Sequence, residues 1–206
     1  MRKTIIIIFL LASLTCFAQS GWQTITLPSA VTKTTRLNFV NANTGYLIAN
    51  AIYKTSDAGI TWVQKTTTFD VSVFYSLAFL NSSTGYFCQA GNITFKTTNG
   101  GDNWQQLPDN ASGYTMKFIN VNTGWLASNR FVARTTNGGL NFTVTDLGDT
   151  VFALFCMDFI NENTGWIANS EQIRRTTNSG SNWQTEIITQ YMTIFSGLYF
   201  VNENTG

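Results

Sequence analysis

Apolar residues alternate with other residues at Tyr75, Leu77 and Phe79, at Tyr114, Met116 and Phe118, and at Phe155, Met157 and Phe159. A two-residue period puts each trio on one face of a strand, the pattern expected where one blade of sheet packs on the next. These rings are therefore expected in the core rather than on a ligand platform. Each run ends on Phe and is followed by an Asn-rich turn. In the second repeat the pattern predicts strand A over 75–80, strand B over 85–90, strand C over 92–97 and strand D over 103–106. A helical reading fails because Gly, Asn and β-branched Thr recur wherever a helix interior would lie.

Two motifs recur through the chain. The first is Phe39-Val-Asn-Ala-Asn-Thr-Gly-Tyr46, echoed from Phe79, Phe118, Phe159 and Phe200; its glycines at 45, 85, 124, 165 and 206 are spaced by 40, 39, 41 and 41 residues. The second is Lys54-Thr-Ser-Asp-Ala-Gly-Ile-Thr-Trp62, echoed by Lys96-Thr-Thr-Asn-Gly-Gly-Asp-Asn-Trp104, Arg134-Thr-Thr-Asn-Gly-Gly-Leu-Asn-Phe142 and Arg175-Thr-Thr-Asn-Ser-Gly-Ser-Asn-Trp183. A fixed period near 40 without helical signal indicates an all-β propeller of four-stranded blades. The repeats fall near 34–66, 74–106, 114–144 and 154–186, and a fifth starts at 195–206.

The second motif resembles the Asp-box of sialidase-type (BNR) propellers. Together with the Asn-Thr-Gly-Tyr/Trp motif at this period, it is similar to the photosystem II stability/assembly-factor-like propellers, a resemblance that covers essentially the whole mature chain. It implies a structural role for Asp57, Gly59 and Trp62, for Asn99, Gly101 and Trp104, for Asn137, Gly139 and Phe142, and for Asn178, Gly180 and Trp183. In such a turn the third-position oxygen accepts bonds from its own backbone, Gly supplies a positive φ, and the aromatic anchors the turn, largely buried. Asn in three of the four turns keeps the hydrogen bonding and removes the charge, which suits a fold device and not an acid or base.

The resemblance also implies that family members close with more blades than four. Ser20-Gly-Trp22-Gln-Thr aligns with the end of an Asp-box and its strand D, so an open arc that continues after residue 206 is expected.

The first residues follow a different pattern. Arg2 and Lys3 precede an apolar block from Ile5 to Leu14 and then Cys16-Phe-Ala18. The block is about half of the roughly 20 residues that span a bilayer, so 1–18 is read as a signal peptide and the mature chain as secreted or otherwise extracytoplasmic, without membrane insertion. Loss of Arg2 and Lys3 leaves ten basic residues against eleven acidic ones, a balance that offers no field for nucleic acid. Cys88 and Cys156 are assigned to different, non-adjacent blades, too far apart for a disulfide.

Candidate chemistry is sparse. With no histidine in the chain, histidine-based nucleophile activation and the common zinc sites are excluded, and neither metal nor cofactor is expected. The resemblance frames sialidase catalysis as an arginine triad with a Tyr–Glu pair, but of Arg36, Arg130, Arg134, Arg174 and Arg175 two occupy the repeated turn position held elsewhere by Lys54 and Lys96. A glycoside hydrolase using paired carboxylates from among Asp70, Asp146, Asp149 and Asp158 is the alternative reading. The repeated cations are expected to cap carbonyls of neighbouring turns, with a cationic arc for an acidic partner as the rival.

Both recurring turns lie on one propeller face and barely vary, whereas the B–C turns and D–A linkers of the other face differ throughout. Variable loops on a constant scaffold are where recognition resides. The candidate ligand face is Lys33, Phe69, Asp70, Asn110, Asn129, Arg130, Asp146, Asp149, Glu171 and Tyr191. The expected function is a non-enzymatic recognition or scaffold module binding protein or glycan. Lys117 and Asp158, one residue before the repeat Phe in adjacent blades, are expected to pair.

Overall fold

The computed structural model describes residues 25–28, 31, 36–65, 74–89, 93–107, 113–148, 156–169, 172–187 and 197–206. Residues 1–18, read above as a signal peptide, lie outside them. Four antiparallel four-stranded sheets follow one another along the chain. Blade 1 comprises β1 (Arg36–Phe39), β2 (Gly45–Ile48), β3 (Ile52–Thr55) and β4 (Val63–Gln64), and blade 2 comprises β5 (Phe74–Phe79), β6 (Gly85–Gln89), β7 (Ile93–Thr97) and β8 (Gln105–Gln106). Blade 3 is β9 (Thr115–Phe118), β10 (Gly124–Ser128), β11 (Phe131–Thr135) and β12 (Thr143–Asp146), and blade 4 is β13 (Cys156–Phe159), β14 (Gly165–Ala168), β15 (Gln172–Thr176) and β16 (Gln184–Ile187). Within each blade the strands are ordered as they occur in sequence, and the first strands lie side by side from blade to blade.

Register explains why Phe and Gly recur together. Phe39 faces Gly45, Phe79 faces Gly85, Phe118 faces Gly124 and Phe159 faces Gly165 across the first strand pair of each blade. The Phe ring lies over the glycine: a methyl group on Gly85 would stand 2.6 Å from Phe79 Cδ1. The other face of that ring meets the aromatic that follows the preceding blade's glycine. Phe79 stacks on Tyr46 at 3.3 Å, Phe118 on Tyr86 at 4.0 Å, Phe159 on Trp125 at 3.7 Å and Phe200 on Trp166 at 3.7 Å between centroids.

The core therefore sits between blades. Ile48 and Ile52 of blade 1 pack with Phe87 and Phe95 of blade 2, and Trp125 and Val132 of blade 3 pack with Met157, Phe159 and Ile167 of blade 4. Burial of one such side chain contributes about 1.5–3 kcal/mol. A polar latch adds direction to the stacking: Phe79 N–H donates to Asn38 Oδ1, and Phe200 N–H to Asp158 Oδ2, each at 2.7 Å. Lys117 Nζ reaches Asp158 Oδ1 at 2.7 Å, joining blade 3 to blade 4 at the expected position.

Trp62, Trp104, Phe142 and Trp183 are largely covered, each meeting the repeat Phe edge-on or packing along the outer rim of a cluster: Trp104 lies 5.8 Å from Phe79 and Trp183 lies 6.0 Å from Phe159. One expectation is corrected. The alternation in the second inner strand is broken by a bulge between Phe74 and Ser76. A bulge shifts the side chains that precede it by one position. Phe74, not Tyr75, packs on the Ile48–Phe87 cluster, and Tyr75 turns edge-on to Tyr114 at 4.8 Å, both half-buried. Phe155 lies outside the described residues.

Candidate functional site

The repeated face is stitched together from local hydrogen bonds. In the first box Thr55 Oγ1 accepts from Gly59 N–H at 2.9 Å and donates to Asp57 Oδ1 at 2.8 Å, and Asp57 accepts from Thr61 N–H at 2.8 Å. Thr97, Asn99, Gly101 and Asn103 repeat this arrangement, as do Thr135, Asn137, Gly139 and Asn141, and Thr176, Asn178, Gly180 and Asn182. Gly101 needs its positive φ of 91° for the turn to close. The hydroxyl and backbone donors around Asp57, Thr61 first, hold its carboxyl below its ordinary range. Each box also donates one backbone N–H to the neighbouring turn of its own blade, as from Gly100 to the Ser83 carbonyl at 2.7 Å.

The cations that open these boxes lie over the aromatic that follows the blade's glycine: Lys54 over Tyr46, Lys96 over Tyr86, Arg134 over Trp125 and Arg175 over Trp166, at 5.4, 5.4, 5.7 and 5.4 Å. Lys54 Nζ donates to the Ser82 carbonyl at 3.1 Å and Lys96 Nζ to the Gly138 carbonyl at 3.0 Å, both in the following blade. Arg175 pairs with Glu203 at 3.1 Å. Burial lowers the affinity of Lys54 and Lys96 for their protons and raises the Tyr46 and Tyr86 hydroxyls to about 12. Lys54, Lys96 and Arg175 thus link to the following repeat, whereas Arg134 lies over Trp125 of its own blade.

The opposite face carries a different assembly. Asn129, at a positive φ of 38°, turns the chain between β10 and β11 and sets Arg130 beside the end of β12. Arg130 Nη2 meets Asp146 Oδ2 at 2.9 Å, and its guanidinium lies 5.0 Å from the Phe131 ring, itself exposed and paired in register with Asp146. Asp146 Oδ1 accepts from Gly148 N–H at 2.9 Å, and the Leu147 carbonyl accepts from Arg174 Nη1 of blade 4 at 3.3 Å. Of the ten candidate ligand-face residues the structure brings together Asn129, Arg130 and Asp146. Lys33, Phe69, Asp70, Asn110, Asp149, Glu171 and Tyr191 lie outside the described residues. Phe131 and Arg174 join the cluster without having been expected there; the register of β11 with β12 is the signal that places Phe131.

Among the described carboxylates, Asp146 and Asp158 belong to separate ion pairs, with Arg130 and Lys117, rather than facing each other as a hydrolytic pair. Asp102 is drawn down by its bond from Lys65 at 2.7 Å, another link between blades 1 and 2. No group of three or more metal-ligating side chains occurs among the described residues. Cys88 and Cys156 are buried free thiols; burial raises both, Cys156 to about 11. Ser76, Tyr114, Thr115, Cys156 and Arg36 share the lining of a cavity of about 370 Å³ among the innermost strands.

A family model described as photosynthesis system II assembly factor YCF48 matches residues 14–113. The chain is a β-propeller that resembles that assembly factor. Among solved structures, YCF48 bound to D1 peptide superposes with a TM-score of 0.64 at 20% identity, over 82% of this chain and 57% of that one. YCF48 from Cyanidioschyzon merolae gives 0.65 at 14% identity, over 87% and 63%. An ancestral GH74 enzyme gives 0.62 at 18% identity, over 79% and 26%. The propeller thus spans less than two thirds of the length of both YCF48 structures. No curated protein matches it in sequence.

Proposed function

We propose that this propeller is a secreted, non-enzymatic recognition or scaffold module that binds a polypeptide or a carbohydrate through its variable loop face. The observation that carries the reading is the division of labour between faces. Most described polar groups of the repeated face are engaged in box, capping or inter-blade bonds, whereas the Arg130 and Asp146 side chains are 49% and 46% exposed and Phe131 is 38% exposed, side by side at the β10–β11 turn and the adjoining strand ends. An exposed ring beside a cation and a carboxylate suits amide or sugar groups, which offer donors, acceptors and an apolar face together. The peptide seen on the YCF48 neighbour supports a polypeptide in particular.

The test is binding of the chain to peptide and glycan arrays, alongside a turnover assay on the glycans. Binding lost in Phe131→Ala and Arg130→Ala, without turnover, is the expected result. Glycan hydrolysis, or binding indifferent to both variants, overturns it.

A further inference from the structure

The four boxes are not chemically alike. Asn-Gly occurs at two places in the chain, Asn99-Gly100 and Asn137-Gly138, each where the first box has Asp57-Ala58 and the fourth Asn178-Ser179. A glycine has no side chain to keep its nitrogen away from the preceding Asn Cγ. When the Gly N–H loses its proton to hydroxide, the nitrogen can bond to Cγ and the Cγ–Nδ2 bond breaks. The departing nitrogen takes a proton from water and leaves as ammonia, and a succinimide remains. Water opens that ring at either carbonyl, giving Asp or, with the main chain rerouted through Cβ, isoaspartate.

The fold requires both members of this reactive pair. Asn99 Oδ1 accepts from the Thr97 hydroxyl and from Asn103 N–H, each at 2.9 Å. Gly100 has a φ of 71°, and a methyl on it would stand 2.7 Å from both Lys54 Nζ and the Ser82 carbonyl of the inter-blade clamp. At Gly138, with a φ of 69°, the same point lies 2.8 Å from Lys96 Nζ and 2.9 Å from the Val121 carbonyl. In the fourth box Ser179 carries a side chain at this position, and the blade before it has Arg134 in place of lysine. The lysine clamps of blades 1 and 2 therefore impose glycine after the asparagines of the second and third boxes.

The same turns restrain the chemistry. Gly100 and Gly138 are buried, and their N–H groups donate to the Ser83 and Asn122 carbonyls at 2.7 and 2.8 Å. An amide proton held in this way is given up when the segment opens, and its loss is also the first step of ring closure. We propose that Asn99 and Asn137 are deamidation sites gated by opening of their own boxes, and that the Asp product closes the box again whereas the isoaspartate product does not. Asp57 shows the Asp form in place, accepting from the Thr55 hydroxyl and Thr61 N–H at 2.8 Å each. Isoaspartate inserts a methylene into the main chain between Thr97 and Gly101, whose N–H···Oγ1 bond of 3.0 Å closes the turn. Asn178 shares the amide bond, from Ser179 to the Asn163 carbonyl at 2.9 Å, but the Ser179 side chain crowds the attacking nitrogen.

The test is peptide mapping by mass spectrometry, with Asp and isoaspartate peptides separated, at positions 99, 137 and 178 during incubation at mildly alkaline pH. The native chain, the chain unfolded in guanidinium and the native Thr97→Val variant are compared, and Asn137 serves as the internal control for Asn99. In guanidinium Asn99 and Asn137 are expected to convert at similar rates and faster than Asn178. In the native chain both are expected to slow by about tenfold or more. Thr97→Val is expected to quicken conversion at Asn99 and leave Asn137 unchanged, and Asn99→Asp to keep the urea midpoint of the parent. Native rates equal to unfolded rates overturn the gating. Equal quickening at both asparagines in Thr97→Val overturns the box as the gate, because global unfolding would then be the route. A lowered midpoint in Asn99→Asp, or parent-like Gly101 exchange in the isoaspartate fraction, overturns the assignment of which product recloses.

Discussion

Asp158 is nearly enclosed, yet it holds three segments of chain together: Lys117 Nζ of blade 3 lies 2.7 Å from one carboxylate oxygen and Phe200 N–H donates to the other. The latch separates two roles that Asn38 shows can be separated, because Asn38 accepts the Phe79 N–H at the same distance without any charge. Asp158→Asn should therefore keep the amide acceptor and lose only the charge facing Lys117, whose own side chain is 35% exposed and can be solvated, costing about 1 kcal/mol. Asp158→Ala strands both Lys117 and the Phe200 N–H and should cost about 3 kcal/mol. Urea unfolding of the two variants checks the ordering; equal losses would show that the charge, not the acceptor, matters.

Gly85→Ala places a methyl 2.6 Å from Phe79 Cδ1, and the ring cannot retreat because Tyr46 lies 3.3 Å behind it. The expected cost is about 1–3 kcal/mol, with loss of ring stacking visible in near-ultraviolet circular dichroism. A double variant with Phe79→Leu, which frees space on both sides, should cost less than the sum of the single changes.

Thr97 is buried and its hydroxyl both accepts from Gly101 N–H at 3.0 Å and donates to Asn99 at 2.9 Å. Thr97→Val keeps the shape and leaves the Gly101 donor unsatisfied, an expected loss of about 1–3 kcal/mol in thermal or urea unfolding. Thr97→Ser should retain most of the stability.

Asp57 is the one acid at a box position that the other three boxes fill with Asn, and it is held below its ordinary range by the Thr61 hydroxyl and amide and the Thr55 hydroxyl. A depressed folded-state value means that its contribution is complete above the unfolded carboxyl range and is lost as pH falls through the depressed value. Protection of the Thr61 amide, its exchange relative to an unstructured amide at the same pH, should fall over that acid window in the native chain. In Asp57→Asn that protection should hold, because Asn99, Asn137 and Asn178 make the same bond without a proton to gain.

The thiols of Cys88 and Cys156 are raised by burial, and Cys88 bonds with Thr94 Oγ1 at 3.3 Å. Only a thiolate reacts readily, so neither should be modified by an aromatic disulfide reagent at neutral pH in the folded chain, and both should react at once in denaturant. Rapid labelling of Cys156 in native protein would show that the central cavity admits the reagent.

The sequence by itself determined the sheet class, the blade period and the box hydrogen bonds, because each is set by residues close together in the chain: Phe79 and Gly85 face each other across one short turn, and Thr97 and Gly101 within another. It also placed Lys117 near Asp158, since equivalent positions in successive repeats become neighbours. The tertiary structure alone decided how each ring is shared between blades, how far the box tryptophans are covered, and that the bulge at Tyr75 hands its place to Phe74. Those outcomes depend on close packing between side chains on different strands and blades, as Tyr46 and Phe79 are, and no local period encodes the fit. The Arg130–Phe131–Asp146 cluster lies between these cases: the loop was legible as variable, but only strand pairing brought its three side chains to one point.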